Sequence, residues 1–308
     1  MRILIITLIA FTITTAGISQ DNKKPAKTNN KWKTAGMFSF FGVQSGSRNW
    51  AAGSEKFSFA AAAHLNLQAN TSWSKVSLEN SIDLAYALMN STSQGIRKND
   101  DKIDLYSLLH YGAKKIGIGV AYNLRTQFNN GFDYSETPKR RTSGFFAPAY
   151  MTFGAGASIK ATPSANVLGG WAARWVITTN RPYSFNNQGG VKPDGTSERT
   201  LADLYGVDPV RKVRFETGPY ISGRYNREIM KNVHYRTRLD INTDVLEWIY
   251  NIDIYWTNTI DMKVNRWLMV KYTFDLIQDD DVKMFGHNKN VAGVQLKSML
   301  GVGLATKF

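Results

Sequence analysis

The chain contains no cysteine. That excludes a disulfide framework and an attachment point for a bacterial lipid anchor. Histidine is scarce: His64, His110, His234 and His287 are the full set. None sits in a nucleophile motif, and no His-x-Ser-Asn run occurs. The acidic stretches Asp100-Asp101 and Asp279-Asp280-Asp281 lack the Asp-x-Asp-x-Asp-Gly spacing of a calcium loop. They read as solvated acidic loops. Long hydrophobic runs are also missing. Beyond the first 20 residues nothing stays apolar for the ~18 residues that a membrane helix needs. No cofactor or metal is expected, and no catalytic motif argues for an enzyme.

The beginning of the chain carries a different signal. Met1-Arg2 precedes an apolar run from Ile3 to Ile13, followed by small and polar residues up to Gln20. One early charge, a short apolar core and small residues before Asp21 make a secretory signal peptide over 1–20. A membrane anchor helix is the alternative, for which the run is short. Residues 21–33 then read as a basic tail, with Lys23, Lys24, Lys27, Lys31 and Lys33. The formal net charge is +14. Export argues against nucleic acid as its partner. The excess suits anionic lipid headgroups, lipopolysaccharide or an acidic partner.

What fills residues 34–308 is alternation. Side chains of a strand point to opposite faces in turn, so counting by twos separates the faces. From Val233, the residues Val233, Tyr235, Thr237, Leu239 and Ile241 alternate with His234, Arg236, Arg238, Asp240 and Asn242. A charge at every second position is costly against lipid and natural against a polar lumen. The same pattern predicts strands near 35–43, 56–70, 75–89, 102–111, 116–129, 148–161, 165–180, 211–226, 230–244, 248–261, 264–277 and 292–308. Short turns fall near 71–74, 112–115, 162–164, 227–229 and 262–263. Long connectors fall at 44–55, 90–101, 130–147, 181–210 and 278–291, with 244–247 a short exception. The fold class is therefore all-β: a closed antiparallel transmembrane β-barrel of about twelve strands. A soluble β-sandwich is the rival, but it rarely needs so many long strands. The loop 181–210 is long enough to fold over or into the barrel mouth. Trp73, Trp267 and Trp248 fall near strand ends, where aromatic girdles meet a lipid interface. The last strand ends on Phe308, which resembles the C-terminal assembly signal of outer-membrane barrels and implies barrel-assembly machinery as a partner during insertion. An even strand number puts both termini in the periplasm and the long loops outside.

Several stretches carry a family resemblance: Asn49-Trp50-Ala51-Ala52-Gly53, Arg97 to Lys102, Thr126-Gln127-Phe128 with Gly131 to Tyr134, and Ser143 to Tyr150. Lys231-Asn232-Val233, Asp279 to Asp281, Gln295-Leu296-Lys297 and Leu300 to Leu304 follow. In this order they resemble a family of outer-membrane barrels of Bacteroidota classed as a domain of unknown function. The resemblance implies location and fold, and assigns no site.

Parity places Arg125, Arg174, Lys212, Arg214, Arg224, Arg236, Arg238, Lys271 and Lys297 in the lumen. Glu79, Asp83, Glu216, Asp240, Asp253, Asp261 and Asp275 join them. Arg214, Glu216, Arg236, Arg238 and Asp240 form a candidate charge strip on two adjacent strands. It serves either as a salt-bridge network that offsets buried charge or as a binding lane for a charged solute. Three function classes follow. One is a structural or accessory barrel of an envelope assembly, with an envelope protein partner. Another is a narrow channel or transporter. The third is a barrel lipase or protease, with a triad invisible in sequence. The small residues Gly154-Ala155-Gly156-Ala157 and Gly169-Gly170 suit close approach of a neighbour or strand curvature.

Overall fold

The computed structural model describes residues 32–46, 57–93, 95–112, 115–134, 139–178, 195, 200–285 and 291–308. The signal peptide, all but two residues of the basic tail, the Asn49–Gly53 stretch and His287 lie outside them. Twelve long strands close into one antiparallel barrel. They are β1 (Lys33–Gly46), β2 (Phe57–Trp73), β3 (Val76–Ser91), β4 (Gly95–Tyr111) and β5 (Ile116–Thr126). A small hairpin, β6 (Gly131–Asp133) and β7 (Arg140–Ser143), then leaves the wall. The wall resumes with β8 (Ala149–Thr162) and β9 (Ala165–Ile177). After a single helical turn, α1 (Leu201–Leu204), come β10 (Val213–Met230), β11 (Val233–Asp244), β12 (Trp248–Lys263) and β13 (Leu268–Gln278). A second hairpin, β14 (Lys283–Phe285) and β15 (Val291–Ala292), precedes the last wall strand, β16 (Gln295–Lys307). Each wall strand pairs with its neighbour in sequence, and β16 returns to β1.

The barrel is inverted relative to a water-soluble one. Phe38, Phe40, Ile118, Val120, Phe153, Ile221, Leu296, Leu300, Val302 and Leu304 are large, apolar and exposed on the outside. The buried side of the wall carries Asp104, Arg174, Glu216, Arg238, Asp240 and Lys271. An apolar exterior band around a charged interior is what a lipid solvent demands. Indole N–H groups on that exterior find partners across strands: Trp171 Nε1 donates to Thr217 Oγ1 (2.7 Å) and Trp256 Nε1 to Thr237 Oγ1 (3.0 Å). Trp73 and Trp267 are exposed at the short-turn end. The side chain of Trp248 lies outside the described set.

All twelve strands fall where alternation puts them, but several boundaries move: β13, for one, starts at Leu268, so its turn is 264–267 rather than 262–263. β4 starts at Gly95, so 90–101 is no long loop. Lys98 pairs with Leu88 and Arg97 with Met89, with a bulge after Ala87. The apolar alternation ends at that level while the hydrogen-bond ladder continues. β10 likewise runs on to Met230, and its turn is Lys231-Asn232 with Asn232 at φ 66 rather than 227–229. Asn tolerates that left-handed geometry in a tight turn. At the other end β10 begins at Val213. Lys212, placed in the lumen by parity, is instead an exposed loop residue at φ 61.

The small residues on β8 and β9 have a local cause. Gly156 and Gly170 are register partners. A Cβ at Gly156 would stand 2.2 Å from the Gly169 carbonyl, and one at Gly154 2.4 Å from the Tyr220 ring. The two strands and an inward tyrosine leave no room for more. The described part of the 181–210 loop folds over the mouth. Thr200 caps α1 with a reciprocal bond to Asp203. Leu201, Ala202, Leu204, Tyr205 and Val207 then bury against Ala147, Val176 and Val282.

Candidate functional site: an ion-paired lumen

The proposed charge strip does not form one lane. Its members divide among three networks at different depths.

At the long-loop end, Arg214 Nη2 meets Glu216 Oε1 at 2.5 Å and Asp281 Oδ2 at 2.7 Å. Arg174 bridges Glu216 (3.0 Å), Asp279 (3.0 Å) and Asp253. Glu216, Asp253 and Asp281 bring carboxylate oxygens within 4.8 Å of one another. Each already faces a guanidinium, so arginine supplies the counter-charge. This corrects the reading of Asp279-Asp280-Asp281 as a solvated loop: Asp279 is 4% and Asp281 7% exposed. Buried Arg174 and half-buried Arg214, invisible as partners in sequence, hold Asp279 and Asp281 inward.

At mid-depth, Arg238 grips Asp104 through two hydrogen bonds, 3.1 and 2.6 Å, across the lumen. The fork of a guanidinium matches the two oxygens of a carboxylate, which makes such pairs strong. Arg238 Nε lies 3.1 Å from Asp240 Oδ2. Asp240 also receives Arg125 from β5 and the hydroxyls of Tyr220 (3.1 Å) and Ser222 (2.7 Å). Arg224 is the register partner of Arg238. Like charges placed so would repel, and Tyr106 relieves this. Its ring lies 4.2 Å below the Arg224 guanidinium and 5.2 Å from that of Arg238.

Toward the short-turn end, Arg236 pairs with Asp261 (3.1 Å) and reaches Asp83 (3.7 Å). Lys271 Nζ lies 2.5 Å from Asp261, and Asn66 Nδ2 donates to Asp83 at 2.6 Å. Lys160 pairs with Glu79 at 3.0 Å; Lys297 and Asp100, by contrast, pair nearer the long-loop end of the lumen. Asp100 was the other stretch read as a solvated loop; with β4 extended to Gly95 it turns inward and is buried.

Parity also turns Lys102 and Asp104 of β4 inward, two lumen charges beyond those placed above. No local signal marked Asp279 or Asp281 as inward-facing.

The networks shape the interior. A chamber of about 450 Å³ opens at the long-loop end, lined by Arg125, Tyr150, Arg174, Asp240, Tyr255 and Asp279. A vestibule of about 570 Å³ opens at the short-turn end, beside His234, Arg236, Asp261, Lys263 and Arg266. Between them lie cavities of only about 50 and 70 Å³, bounded by Asp83, Lys102, Arg236 and Arg238. That is space on the scale of a few waters, each with a liquid share of about 30 Å³.

The family-like stretches meet at the long-loop rim. Asp101 accepts the Phe128 and Asn129 amides at 2.7 and 2.8 Å. Lys98 Nζ donates to Asp101 (2.9 Å), Gln127 Oε1 (3.3 Å) and the Asn129 carbonyl (2.8 Å). Gln127 Nε2 and Thr126 Oγ1 donate to the Ala147 and Pro148 carbonyls at 3.0 and 3.1 Å. These pieces shape the rim. Of the histidines, His110 Nδ1 lies 2.9 Å from Ser158 Oγ. Both side chains are buried from the lumen and from the exterior.

A closed twelve-stranded antiparallel barrel with an apolar exterior and a charged interior belongs to the class of transmembrane β-barrels. A family model described as "Protein of unknown function (DUF3078)" matches residues 43–132 of the chain. No curated protein matches. Solved structures with a similar trace include the translocator domain of the autotransporter NalP of Neisseria meningitidis, at 9% identity and TM-score 0.32, covering 92% of this chain and 90% of that one. The outer membrane channel DcaP of Acinetobacter baumannii follows at 10% and 0.26, covering 92% and 99%. OmpF of Salmonella typhi, in complex with daunomycin, stands at 10% and 0.23, covering 91% and 98%. At such scores the likeness adds nothing to the barrel itself.

Proposed function

We propose that this is an outer-membrane barrel with a closed lumen, acting without catalysis as a structural or accessory component of an envelope assembly. The observation that carries this is the set of pairs spanning the interior: Arg238–Asp104, Arg125–Asp240 and Arg236–Asp83. Side chains held from opposite walls bound two small cavities at mid-depth among the described residues. The turn α1, packed against Val176 and Val282, narrows the long-loop mouth. The buried placement of His110 and Ser158 favours a packing role over a nucleophile. On this reading the barrel stands with its short turns in the periplasm, and lipid, lipopolysaccharide and an envelope protein are its partners.

The test is retention of solutes. Proteoliposomes loaded with labelled glutamate or lysine should hold their contents as well as protein-free vesicles. A native gel after mild detergent extraction should show a mass above that of the lone barrel. Rapid leakage from vesicles would instead favour the second reading, a narrow gated channel for a small charged solute. The two chambers flanking one constriction are the observation behind it.

A further inference from the structure

The barrel seam is closed over only part of its height. β1 pairs with β16 through five positions, from Met37↔Lys307 to Phe41↔Gly303. Gly36 and Phe308 extend this by two main-chain bonds of 2.7 and 3.0 Å. The Phe308 ring lies against Gly36, where a Cβ would stand 2.3 Å from it. Above Phe41 the pairing stops. β1 goes on to Gly46 in full register with β2, and β16 continues to Gln295 in register with β13. Their facing edges have no strand partner among the described residues. Unpaired edges are expensive in a bilayer, where no water satisfies the backbone. A barrel normally abolishes edges by closing.

A cavity of about 250 Å³ occupies this place. Its lining takes residues of both parities from the same strands. Ala60 and Ala62 face inward on β2 while Ala61 faces outward; Met299 and Gly301 face inward on β16 while Ser298 and Leu300 face outward. Residues of both faces of β2 and β16 thus bound it, with Ala87 and Asn99 of β3 and β4 beyond them. Its inner end meets an apolar patch unusual for this lumen, Met37, Phe41 and Met269 with Ala62 and Ala305. Phe41 is 3% exposed, packs edge-on to His64 with centroids 5.6 Å apart, and lies where a Cβ on Gly301 would be 2.9 Å away. Lys271 and Thr273 line the same cavity on the lumen side.

We infer that the split between β1 and β16 is a lateral portal that admits a single acyl chain of a fatty-acid-like amphiphile from the bilayer. The alanine run of β2 and Phe41 form its throat. The small inward residues make room for a hydrocarbon chain, and the polar head lies toward Lys271 and Thr273. At about 250 Å³ the cavity lies below the ~300 Å³ at which drug-sized ligand pockets begin. That suits one chain and not a whole two-chain lipid. The inference rests on the membrane reading of the barrel and goes beyond a closed axial lumen, because this route runs sideways.

The native chain has no cysteine, so the seam can be locked by design. The pair Gly42→Cys with Val302→Cys takes the next register position above the last observed pair. The pair Phe40→Cys with Leu304→Cys sits inside the closed part as a control. The probe is cis-parinaric acid, read by energy transfer from tryptophan in detergent-folded barrel. We expect saturable binding by the wild type. Oxidation of the upper pair should weaken it at least tenfold, with recovery on reduction, and the lower pair should leave it unchanged. Ala62→Phe, which fills the cavity, should weaken it equally while the barrel keeps its heat-modifiable gel shift. If the upper disulfide does not form, the filled variant decides. No saturable binding by the wild type, or unchanged binding in Ala62→Phe, overturns the portal. Carbonate extraction of native membranes separates the two readings. A chain released by carbonate overturns the membrane reading, and a resistant barrel that binds no probe overturns the portal alone.

Discussion

Replacing Arg238 with Met tests how the lumen is held. Arg238 makes both hydrogen bonds to Asp104 and is 8% exposed. Without it Asp104 keeps one side-chain donor, Asn123 at 2.8 Å. Asp240 loses less, since Arg125, Tyr220 and Ser222 still reach it. Breaking a buried pair from one side costs about 3–5 kcal/mol, because the remaining charge is stranded. That cost should arise mainly at Asp104. Urea unfolding in lipid vesicles, followed by tryptophan fluorescence, measures it. The double variant Arg238→Met with Asp104→Leu should fall short of the sum of the singles by about 1–3 kcal/mol. Asp104→Asn in the Arg238→Met background should recover part of the loss. A single-variant cost below about 1 kcal/mol, with additive behaviour, would refute the reasoning. It would mean that lumen water solvates Asp104 and that the interior is wet.

Three further outcomes follow from other parts of the wall. Leu300→Arg, on the lipid face at the middle of β16, should destabilise folding into vesicles by about 2–4 kcal/mol; a neutral effect would remove Leu300 from the lipid face. Asp101→Ala leaves the exposed Phe128 and Asn129 amides to water and should cost about 0.5–1.5 kcal/mol, with faster hydrogen exchange at those two amides. Unchanged exchange there would show that Asp101 does not hold the rim. Leu204→Ala, in the fully buried cluster over the mouth, should cost about 2–5 kcal/mol. It should also speed proteolytic cleavage at the exposed Arg211 and Lys212, and resistance equal to the wild type would show that α1 does not hold this loop.

The barrel was legible because its physical rule is short-ranged. A strand between lipid and a polar lumen must change polarity at each residue, and β11 does so from Val233 to Asp244. Where that pressure ends, the sequence loses its voice. Above the band, Arg97 to Asp101 alternate in no useful way, yet backbone pairing carries β4 through them. The candidate site was legible as a list of lumen charges and illegible as a set of partners. Arg214 and Glu216 are two residues apart and do pair, but Arg238 finds Asp104 across 134 positions and Arg174 finds Asp279 across 105. Such pairings depend on how the barrel closes. The open upper seam left no trace in alternation either, since Gly42 and Val302 each fit a fully paired wall.

The central claim is that paired side chains close the lumen. Single-channel recording in a planar bilayer tests it most directly, with the wild type beside Arg236→Ala/Arg238→Ala. The wild type should be silent and the variant conducting. That variant should prefer cations, because Asp83, Asp104 and Asp261 lose their guanidinium partners. Steady wild-type conductance that the double variant leaves unchanged would contradict it.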